Sequence, residues 1–375
     1  MEKLFAGIDL GTMHSVVAAS NGMRRVVPTE IGWPKDAIAA ERLGAGPLFG
    51  DALEKNRLAL QTMRPLQKGI LKSDYVEQPA ESDEVLAERI VATGQILEYA
   101  LRSVGGTDSL SIRGVLGIPA ISSRRCINTL LNVAQRWMDT VVLVPEPFAV
   151  GYSLGLSDPA LIIDIGAGTT DVCHYYGALP SEHDQTTIHF GGDHVDELIY
   201  QHLLADHPGI SVSLRTVRHL KEKLGGLDGS SAPTIIRVPV GRKLAKEIDV
   251  TVPLQTALAK LAEAVFDGIC EVLSAIPPEH HGAALSNVIL AGGGSQLPGL
   301  CNYLEELLQP CGQSHVKRIA DSCYAGANGA LRLAMELPED AWAELAKSDH
   351  LSQSDRDDCE SNPNNRSDDG TKQAA

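Results

Sequence analysis

The stretch 161-LIIDIGAGTTDV-172 begins with the apolar pattern of a buried β-strand and ends in a polar turn. The apolar run stops at the carboxylate of Asp164, and the chain then turns through Gly166 and Gly168. Glycines allow backbone N–H groups to approach an anion closely, because no Cβ intervenes. A phosphate would repel this carboxylate unless a divalent cation such as Mg²⁺ lay between them. The stretch therefore predicts a hairpin that binds phosphate and magnesium, with an ordinary β-turn as the alternative.

A second copy of this pattern, 7-GIDLGT-12, lies near the start of the chain. Each copy has an apolar strand, an aspartate, a glycine and a threonine, and each precedes a series of strands and helices. Such a repeat predicts two similar α/β domains with one hairpin on each side of a cleft. Asp9 and Asp164 would hold Mg²⁺ through its waters. The predicted phosphate-binding residues are Gly11, Thr12, Gly166, Gly168 and Thr169. Met13 and His14, in the first of these turns, are also predicted to contact the nucleotide, with a structural role as the alternative for His14.

Glu146 is the candidate for orienting or deprotonating an attacking water. It lies between the apolar strand 141–145 and Pro147, and proline suits the first turn of a helix. The alternative is that Glu146 only stabilises the helix N-terminus through the helix dipole. Asp171 is the second candidate for the catalytic role.

Three further segments have patterns that suit nucleotide contacts. Gly192 and Asp193 open a helix whose N–H groups could bind phosphate, although a capped helix start has the same pattern. Lys221 and Glu222 could reach a ribose or a base, although such charges usually lie on a solvated helix face. A glycine-rich loop between a strand and a helix could lie against a purine or its phosphates. That loop consists of Gly292, Gly293, Gly294 and Ser295.

The composition indicates an acidic globular protein. The chain has 375 residues, of which 43% are hydrophobic, which is enough for two domains. A net charge of -16 argues against a nucleic-acid partner and against unaided binding to anionic lipid. The cysteines lack CxxC spacing, which is typical of reduced cytosolic thiols. No stretch approaches the roughly 18 apolar residues of a membrane span, so we expect a cytoplasmic protein without direct membrane insertion.

Five segments resemble, in this order, the superfamily of actin, Hsp70 and the sugar kinases. They correspond to its first phosphate loop (7–15), first connecting helix (146–155), second phosphate loop (162–172), adenosine loop (291–300) and second connecting helix (about 323–336). Within this superfamily, 64-RPLQKGIL-71 and 191-GGDHVDE-197 resemble bacterial actins of the MreB type. The segments 145-PEPFAVGY-152 and 329-GALRLAMELPEDAW-342 resemble the magnetosome-associated actin-like proteins.

The resemblance implies two duplicated α/β domains around a nucleotide cleft, each with a mixed five-stranded sheet flanked by helices. It implies an ATPase that polymerises with ATP and Mg²⁺ into cytoplasmic filaments. ATP hydrolysis would drive the turnover of these filaments. Those filaments would position magnetosomes through a protein adaptor. Glu146 occupies the position of the catalytic glutamate, and Asp9 and Asp164 those of the magnesium-site aspartates. His14 departs from the pattern, because many MreB proteins carry asparagine there.

The predicted domain boundaries follow from the repeat and the resemblance. The first domain comprises 1–32, 67–150 and 323–347, and a small subdomain is inserted at 33–66. The second domain is 151–322, with a small subdomain at about 205–260. The last residues, 348–375, are predicted to form a disordered acidic tail. The polymerising ATPase competes with a sugar-type kinase, a chaperone ATPase, and another bacterial actin that acts in cell shape or segregation. Nothing in the sequence marks the aspartate base of a sugar kinase.

Overall fold

The structure is a computed structural model that describes residues 3–72, 82–106, 110–229, 233–240 and 244–344. The strands are β1 (Lys3–Leu10), β2 (His14–Ala19), β3 (Arg24–Pro28), β4 (Ile31–Pro34), β5 (Leu60–Met63), β6 (Ser111–Ile118), β7 (Thr140–Pro145), β8 (Ala160–Ile165), β9 (Thr170–Tyr175), β10 (Gln185–Ile188), β11 (Ile235–Val240), β12 (Leu244–Asp249), β13 (Val288–Ala291) and β14 (Val316–Arg318). The helices are α1 (Ala37–Leu43), α2 (Gly50–Asn56), α3 (Asp83–Ser103), α4 (Arg124–Ala134), α5 (Glu146–Leu154), α6 (Gly192–Asp206), α7 (Leu214–Leu224), α8 (Thr251–Ala275), α9 (Pro278–Leu285), α10 (Leu300–Leu308) and α11 (Ala325–Glu336).

The first sheet has five strands in the order β3-β2-β1-β6-β7. β1, β2 and β3 form an antiparallel meander, and β6 and β7 continue the sheet parallel to β1. The turn between β2 and β3 contains Gly22, whose φ of 84° suits glycine. Asp9, near the carboxyl end of β1, pairs with Val16 of β2 and with Gly117 of β6. Its side chain therefore lies at the edge where the first hairpin turns.

The second sheet repeats this arrangement, with the order β10-β9-β8-β13-β14. β8, β9 and β10 are antiparallel neighbours, and β13 and β14 are parallel to β8. Asp164 pairs with Asp171 of β9 and with Ala291 of β13. It thus occupies the position in the second sheet that Asp9 occupies in the first. The predicted fold class, two duplicated α/β domains with mixed five-stranded sheets, is confirmed.

Each sheet has its own hydrophobic core. In α8 the buried residues recur every three or four positions, and Val265 and Ile269 are fully buried in the core of the second sheet. In α3, Leu97 and Leu101 join the core of the first sheet. Complete burial of one such side chain stabilises the fold by about 1.5–3 kcal/mol. The two cores hold the sheets, and therefore the hairpins at their edges, in fixed positions.

The helices α5 and α11 approach each other backbone to backbone. A Cβ placed on Gly329 of α11 would lie 1.7 Å from the carbonyl oxygen of Ala149 in α5. A Cβ on Gly7 of β1 would lie 2.0 Å from the backbone nitrogen of Leu331. Only glycine permits such contacts, because any other residue would place a side-chain carbon inside the neighbouring backbone. α5 leads from the first sheet into the second, so this contact lies where the two halves are connected.

Two small two-stranded sheets lie where insertions are predicted. β4 pairs with β5, close to α1 and α2, and β11 pairs with β12. The helix α8 starts at Thr251 and contains Pro253. Proline is compatible with this position because it lies in the first turn, where a backbone N–H has no partner within the helix.

The chain forms two compact units, Met1–Met335 and Glu336–Ala375. The described residues of the second unit end at 344. Within them, the N–H of Trp342 donates to the carbonyl of Pro338. The predicted acidic tail, 348–375, lies outside the described residues, and the domain boundaries drawn from the sequence stay predictions. In the described part of the chain, no helix is both long enough and apolar enough to cross a membrane.

Candidate functional site

Two hairpin turns, residues 11–13 and 166–169, line the same cleft. A Cβ placed on Gly168 would lie 2.6 Å from Oγ1 of Thr12, so the turns approach as closely as glycine allows. A Cβ on Gly11 would lie 2.3 Å from the carbonyl oxygen of His14, so the first turn also requires glycine. In the second turn, the N–H of Gly166 donates to the carbonyl of Thr169 at 2.9 Å. The structure thus brings together the two hairpins that the sequence repeat predicts.

Most of the residues predicted for the site line this cleft. They are Asp9, Gly11, Thr12, Met13, His14, Glu146, Asp164, Gly166, Gly168, Thr169, Gly192, Asp193, Lys221, Glu222, Gly292, Gly293 and Gly294. Asp171 and Ser295 do not line it, and both are buried with 1% of their surface exposed. These distant segments meet because β1, β8 and β13 all end at the cleft.

Burial and the charges of neighbouring carboxylates raise the pKa values of three aspartates in the cleft or directly beside it. Burial and repulsion from Glu146 raise the pKa of Asp9 to about 7. Burial and the charge of Asp9 raise the pKa of Asp164 well above its ordinary value. Burial and the charge of Glu146 raise the pKa of Asp171 to about 6. The negative charges of this cluster are therefore mutually unfavourable unless a cation compensates them.

This carboxylate cluster fits a divalent cation that keeps its water shell. Among the described residues, no three His, Cys, Asp or Glu side chains converge closely enough to ligate a metal ion. Mg²⁺ retains several waters and uses one or two carboxylates together with substrate phosphates. Asp9 and Asp164, at equivalent positions of the two hairpins, are placed for that kind of binding. A cation between them would relieve the repulsion that raises their pKa values.

Glu146 is held at the cleft by the first turn of α5. It follows β7 directly, and Pro147 occupies the next position of the helix. A Cβ on Gly117 would lie 3.0 Å from Cγ of Glu146, so the glycine makes room for this side chain. The Glu146 carboxylate accepts a hydrogen bond from the buried Lys72, whose Nζ lies 2.6 Å from Oε1. Glu146 is thus a buried carboxylate in the wall of the cleft that both hairpins line.

Asp171, the other predicted catalytic residue, has a different environment. Its Oδ1 accepts the N–H of Ala120 at 2.8 Å and the hydroxyl of Thr187 at 2.6 Å. Its Oδ2 accepts the hydroxyl of Thr169 at 3.1 Å. Both oxygens are therefore engaged by protein donors. The geometry favours Glu146 for contact with an attacking water and favours Asp171 for holding the second hairpin in place.

The loop 292–295 closes the cleft beside Asp164. A Cβ on Gly292 would lie 2.3 Å from Oδ1 of Asp164, and the φ of Gly292 is 74°. A Cβ on Gly294 would lie 2.2 Å from Cγ2 of Ile165. The glycines therefore let this loop pack flat against the second hairpin. Ser295 points inward instead, because its hydroxyl donates to the carbonyl of Gly292 at 2.7 Å.

The start of α6 is surrounded by arginines that the motifs did not indicate. Nη2 of Arg64 lies 2.9 Å from Oδ2 of Asp193 and donates to the carbonyl of Thr12 at 3.2 Å. Nη2 of Arg218 lies 2.9 Å from Oδ1 of the same aspartate. These ion pairs connect the first hairpin with α6 and α7. The sequence carries no signal for Arg218, and Arg64 was visible only as part of the segment 64-RPLQKGIL-71.

Lys221, Glu222 and His14 also line the cleft, and Glu222 lies close enough to His14 for their charges to interact. The ammonium of Lys221 donates to the carbonyl of Gly192 and pairs with Asp196, each at 2.7 Å. Lys221 therefore ties α7 to the start of α6. Burial lowers the pKa of His14, and the charge of Glu222 opposes this effect. The first hairpin accordingly carries an imidazole that tends to be neutral.

Comparison with known proteins agrees with this geometry. The family model described as MreB/Mbl protein matches residues 3–337. Actin-like protein MamK of Paramagnetospirillum magneticum (strain ATCC 700264 / AMB-1) is 34% identical over 345 residues, which are 92% of this chain and 95% of that protein. The solved structure of a MamK double helical filament has a TM-score of 0.81 at 33% identity and covers 90% of this chain and 100% of its own.

A second solved structure, a non-polymerising MamK mutant bound to AMPPNP, has a TM-score of 0.65 at 33% identity. It covers 89% of this chain and 99% of its own. Together with the duplicated sheets, these similarities place the chain in the class of actin-like proteins. Within that class, the chain belongs to the MreB/Mbl family and is a relative of the MamK proteins.

We expect Asp9→Asn to stabilise the nucleotide-free protein above neutral pH. The pKa of Asp9 rises from 3.8 to about 7 on folding, so the folded state binds more protons between these values. Stability therefore falls as the pH rises through this range, and asparagine removes that loss. Because Asp9 is only half-buried and solvent in the cleft screens the repulsion, we expect a gain of about 1 kcal/mol at pH 8.

Urea unfolding at pH 5 and pH 8, in the presence of a chelator, measures this effect. The control is Asp158→Asn, at an exposed position outside the cleft, which should change neither value. Equal stabilities of Asp9→Asn and the parent at pH 8 would show that Asp9 carries no such repulsion.

Proposed function

We propose that the protein binds ATP with Mg²⁺ in this cleft and hydrolyses it. The observation that carries the proposal is the close approach of the two glycine hairpins, which places Asp9 and Asp164 with backbone N–H groups around one cleft. Paired anion-binding turns with a carboxylate in each suit a polyphosphate bridged by a cation. The similarity to a MamK structure bound to AMPPNP supports the same ligand class.

Each part of the cleft has a separate task in this proposal. Thr12 and the N–H groups of Gly11, Gly168 and Thr169 donate to the phosphates, and the loop 292–294 supports the adenosine. Lys221 and Glu222, which line the cleft, contact the ribose or the base. When bound, Mg²⁺ supplies positive charge to the phosphate oxygens. Asp9 and Asp164 hold its waters.

Glu146 orients the attacking water or accepts its proton. Its carboxylate is buried in the wall of the cleft, and α5 and Lys72 fix its position. General-base assistance of this kind contributes about 10²–10⁴ in rate. Asp171 acts indirectly, because its hydrogen bond to Thr169 holds the second hairpin.

The protein also polymerises with ATP into dynamic filaments, and hydrolysis drives their turnover. Membership of the MreB/Mbl family and the similarity to a MamK double helical filament, at a TM-score of 0.81, support this part of the proposal. By the same relationship, the filaments act in the cytoplasm and position magnetosomes through a protein adaptor on their membrane.

We expect the protein to pellet on high-speed centrifugation when Mg²⁺ and ATP are present. AMPPNP should increase the pelleted fraction, because filaments that cannot hydrolyse their nucleotide are not disassembled. Chelation of Mg²⁺ should return the protein to the supernatant and serves as the control. Monomer alone at every protein and salt concentration, with both nucleotides, would contradict polymerisation.

A further inference from the structure

Lys72 and Glu146 form a buried ion pair in the wall of the cleft. Nζ of Lys72 lies 2.6 Å from Oε1 of Glu146, and the two side chains are 3% and 9% exposed. A buried ion pair is weak evidence for stability, because the loss of hydration offsets much of the attraction. Its location, beside both hairpins and at the residue proposed to activate water, points instead to function.

The two oxygens of Glu146 differ in their contacts. Oε1 accepts the hydrogen bond from Lys72, whereas Oε2 accepts none from the described residues. Lys72 is itself fixed through its backbone, since its N–H donates to the carbonyl of Gly69 at 2.9 Å. Its carbonyl accepts the hydroxyl of Ser122 at 3.0 Å. The ammonium therefore reaches Glu146 from an anchored main chain and orients the carboxylate.

Lys72 is also the cation that faces the other carboxylates. Its positive charge attracts the carboxylates of Asp9 and Asp164, whereas the charge of Glu146 repels them. Among the described residues, this ammonium thus lies near the carboxyl groups of Asp9, Glu146, Asp164 and Asp171. The ammonium therefore offsets the repulsion between the aspartates and the Glu146 carboxylate.

We propose that Lys72 is a positioning residue for hydrolysis. It holds Oε1 of Glu146 so that Oε2 is presented to the attacking water. This inference rests on the proposed hydrolysis of ATP at Glu146. Lys72 acts through Glu146 and not through a contact of its own with phosphate, and this distinction can be measured.

A double-mutant cycle on phosphate release tests the proposal. We expect Lys72→Met to lower kcat about 10-fold or more while the KM for ATP changes less than about 3-fold. Lys72→Arg should recover part of the loss, because the guanidinium can also donate to Oε1. In a Glu146→Gln background, Lys72→Met should cause no further loss, because the group on which it acts is already absent.

Thermal unfolding without nucleotide, in the presence of a chelator, gives a readout independent of activity. Lys72→Met should lower Tm, because it leaves Glu146 buried without its partner. The double variant Lys72→Met/Glu146→Gln should melt above Lys72→Met. The matched control is Lys68→Met, in the same loop, whose ammonium pairs with the exposed Glu197 at 2.8 Å and which should leave kcat unchanged.

Three outcomes would overturn the proposal. Unchanged kcat in Lys72→Met would show that the ion pair is only structural. If Lys72→Met lowered kcat by the same factor in the Glu146→Gln background as in the parent, Lys72 would contact the phosphate or the water directly. If the parent protein released no phosphate, both the proposed function and this inference would be wrong. If the parent released phosphate and Lys72→Met had the same kcat, only this inference would be wrong.

Discussion

Glu146→Gln is expected to leave nucleotide binding and filament assembly intact while slowing phosphate release about 100-fold or more. The amide keeps the size and the hydrogen-bonding oxygen of the carboxylate, so Lys72 and the packing around Gly117 are disturbed little. It cannot accept a proton from water. Alanine would give a less clear result, because it would leave the ammonium of Lys72 buried without a partner.

Three assays on the same samples separate chemistry from binding and assembly. Phosphate release measures hydrolysis, a fluorescent ATP analogue measures binding, and pelleting measures polymerisation. The control is Glu98→Gln on α3, outside the residues that line the cleft, which should behave as the parent does. Unchanged phosphate release in Glu146→Gln would remove Glu146 from its assigned role and would direct attention to Asp171.

Gly329→Val is expected to prevent stable folding. The Cβ of any substituent at residue 329 would lie 1.7 Å from the carbonyl oxygen of Ala149, and neither helix backbone can move away without disturbing the sheets. Valine adds two methyl groups and is less favourable in a helix than alanine. We expect a loss of about 3 kcal/mol or more, which is large compared with a typical stability of about 5–15 kcal/mol.

Soluble yield and urea unfolding measure the effect of this substitution. The matched control is Gly282→Ala in α9, where a Cβ would meet no atom within 4 Å. Because alanine favours the helix more than glycine does, that control should raise the stability by up to about 1 kcal/mol. A soluble Gly329→Val with the parent's unfolding midpoint would show that α5 and α11 are not in backbone contact.

The features that could be predicted from the sequence are those with a local physical signature. The two strand–aspartate–glycine turns at Asp9 and Asp164 are visible because each is a continuous stretch with its own pattern. Their duplication indicated two similar halves, and the order of the strands in both sheets confirms it. Glu146 could be predicted because it lies between an apolar strand and a proline that begins a helix.

The remaining residues of the site could not be predicted, because tertiary packing brings them there. Lys72 reaches Glu146 from a loop 74 positions earlier in the chain, and no local pattern marks it. Arg218 lies on α7. In the sequence, the charged residues of this helix are typical of an ordinary solvated helix face. The orientation of Asp171 could not be predicted either, because its hydrogen-bond donors Ala120 and Thr187 are distant from it in the sequence.

The nucleotide content of pelleted filaments tests the central claim most directly. Filaments of the parent and of Glu146→Gln are assembled with Mg²⁺ and ATP, pelleted, denatured and analysed by chromatography. We predict that parent filaments contain mainly ADP and that Glu146→Gln filaments contain mainly ATP, at about one nucleotide per protomer in both. Equal ADP content in the two pellets would contradict hydrolysis through Glu146, and pellets without nucleotide would contradict binding in the cleft.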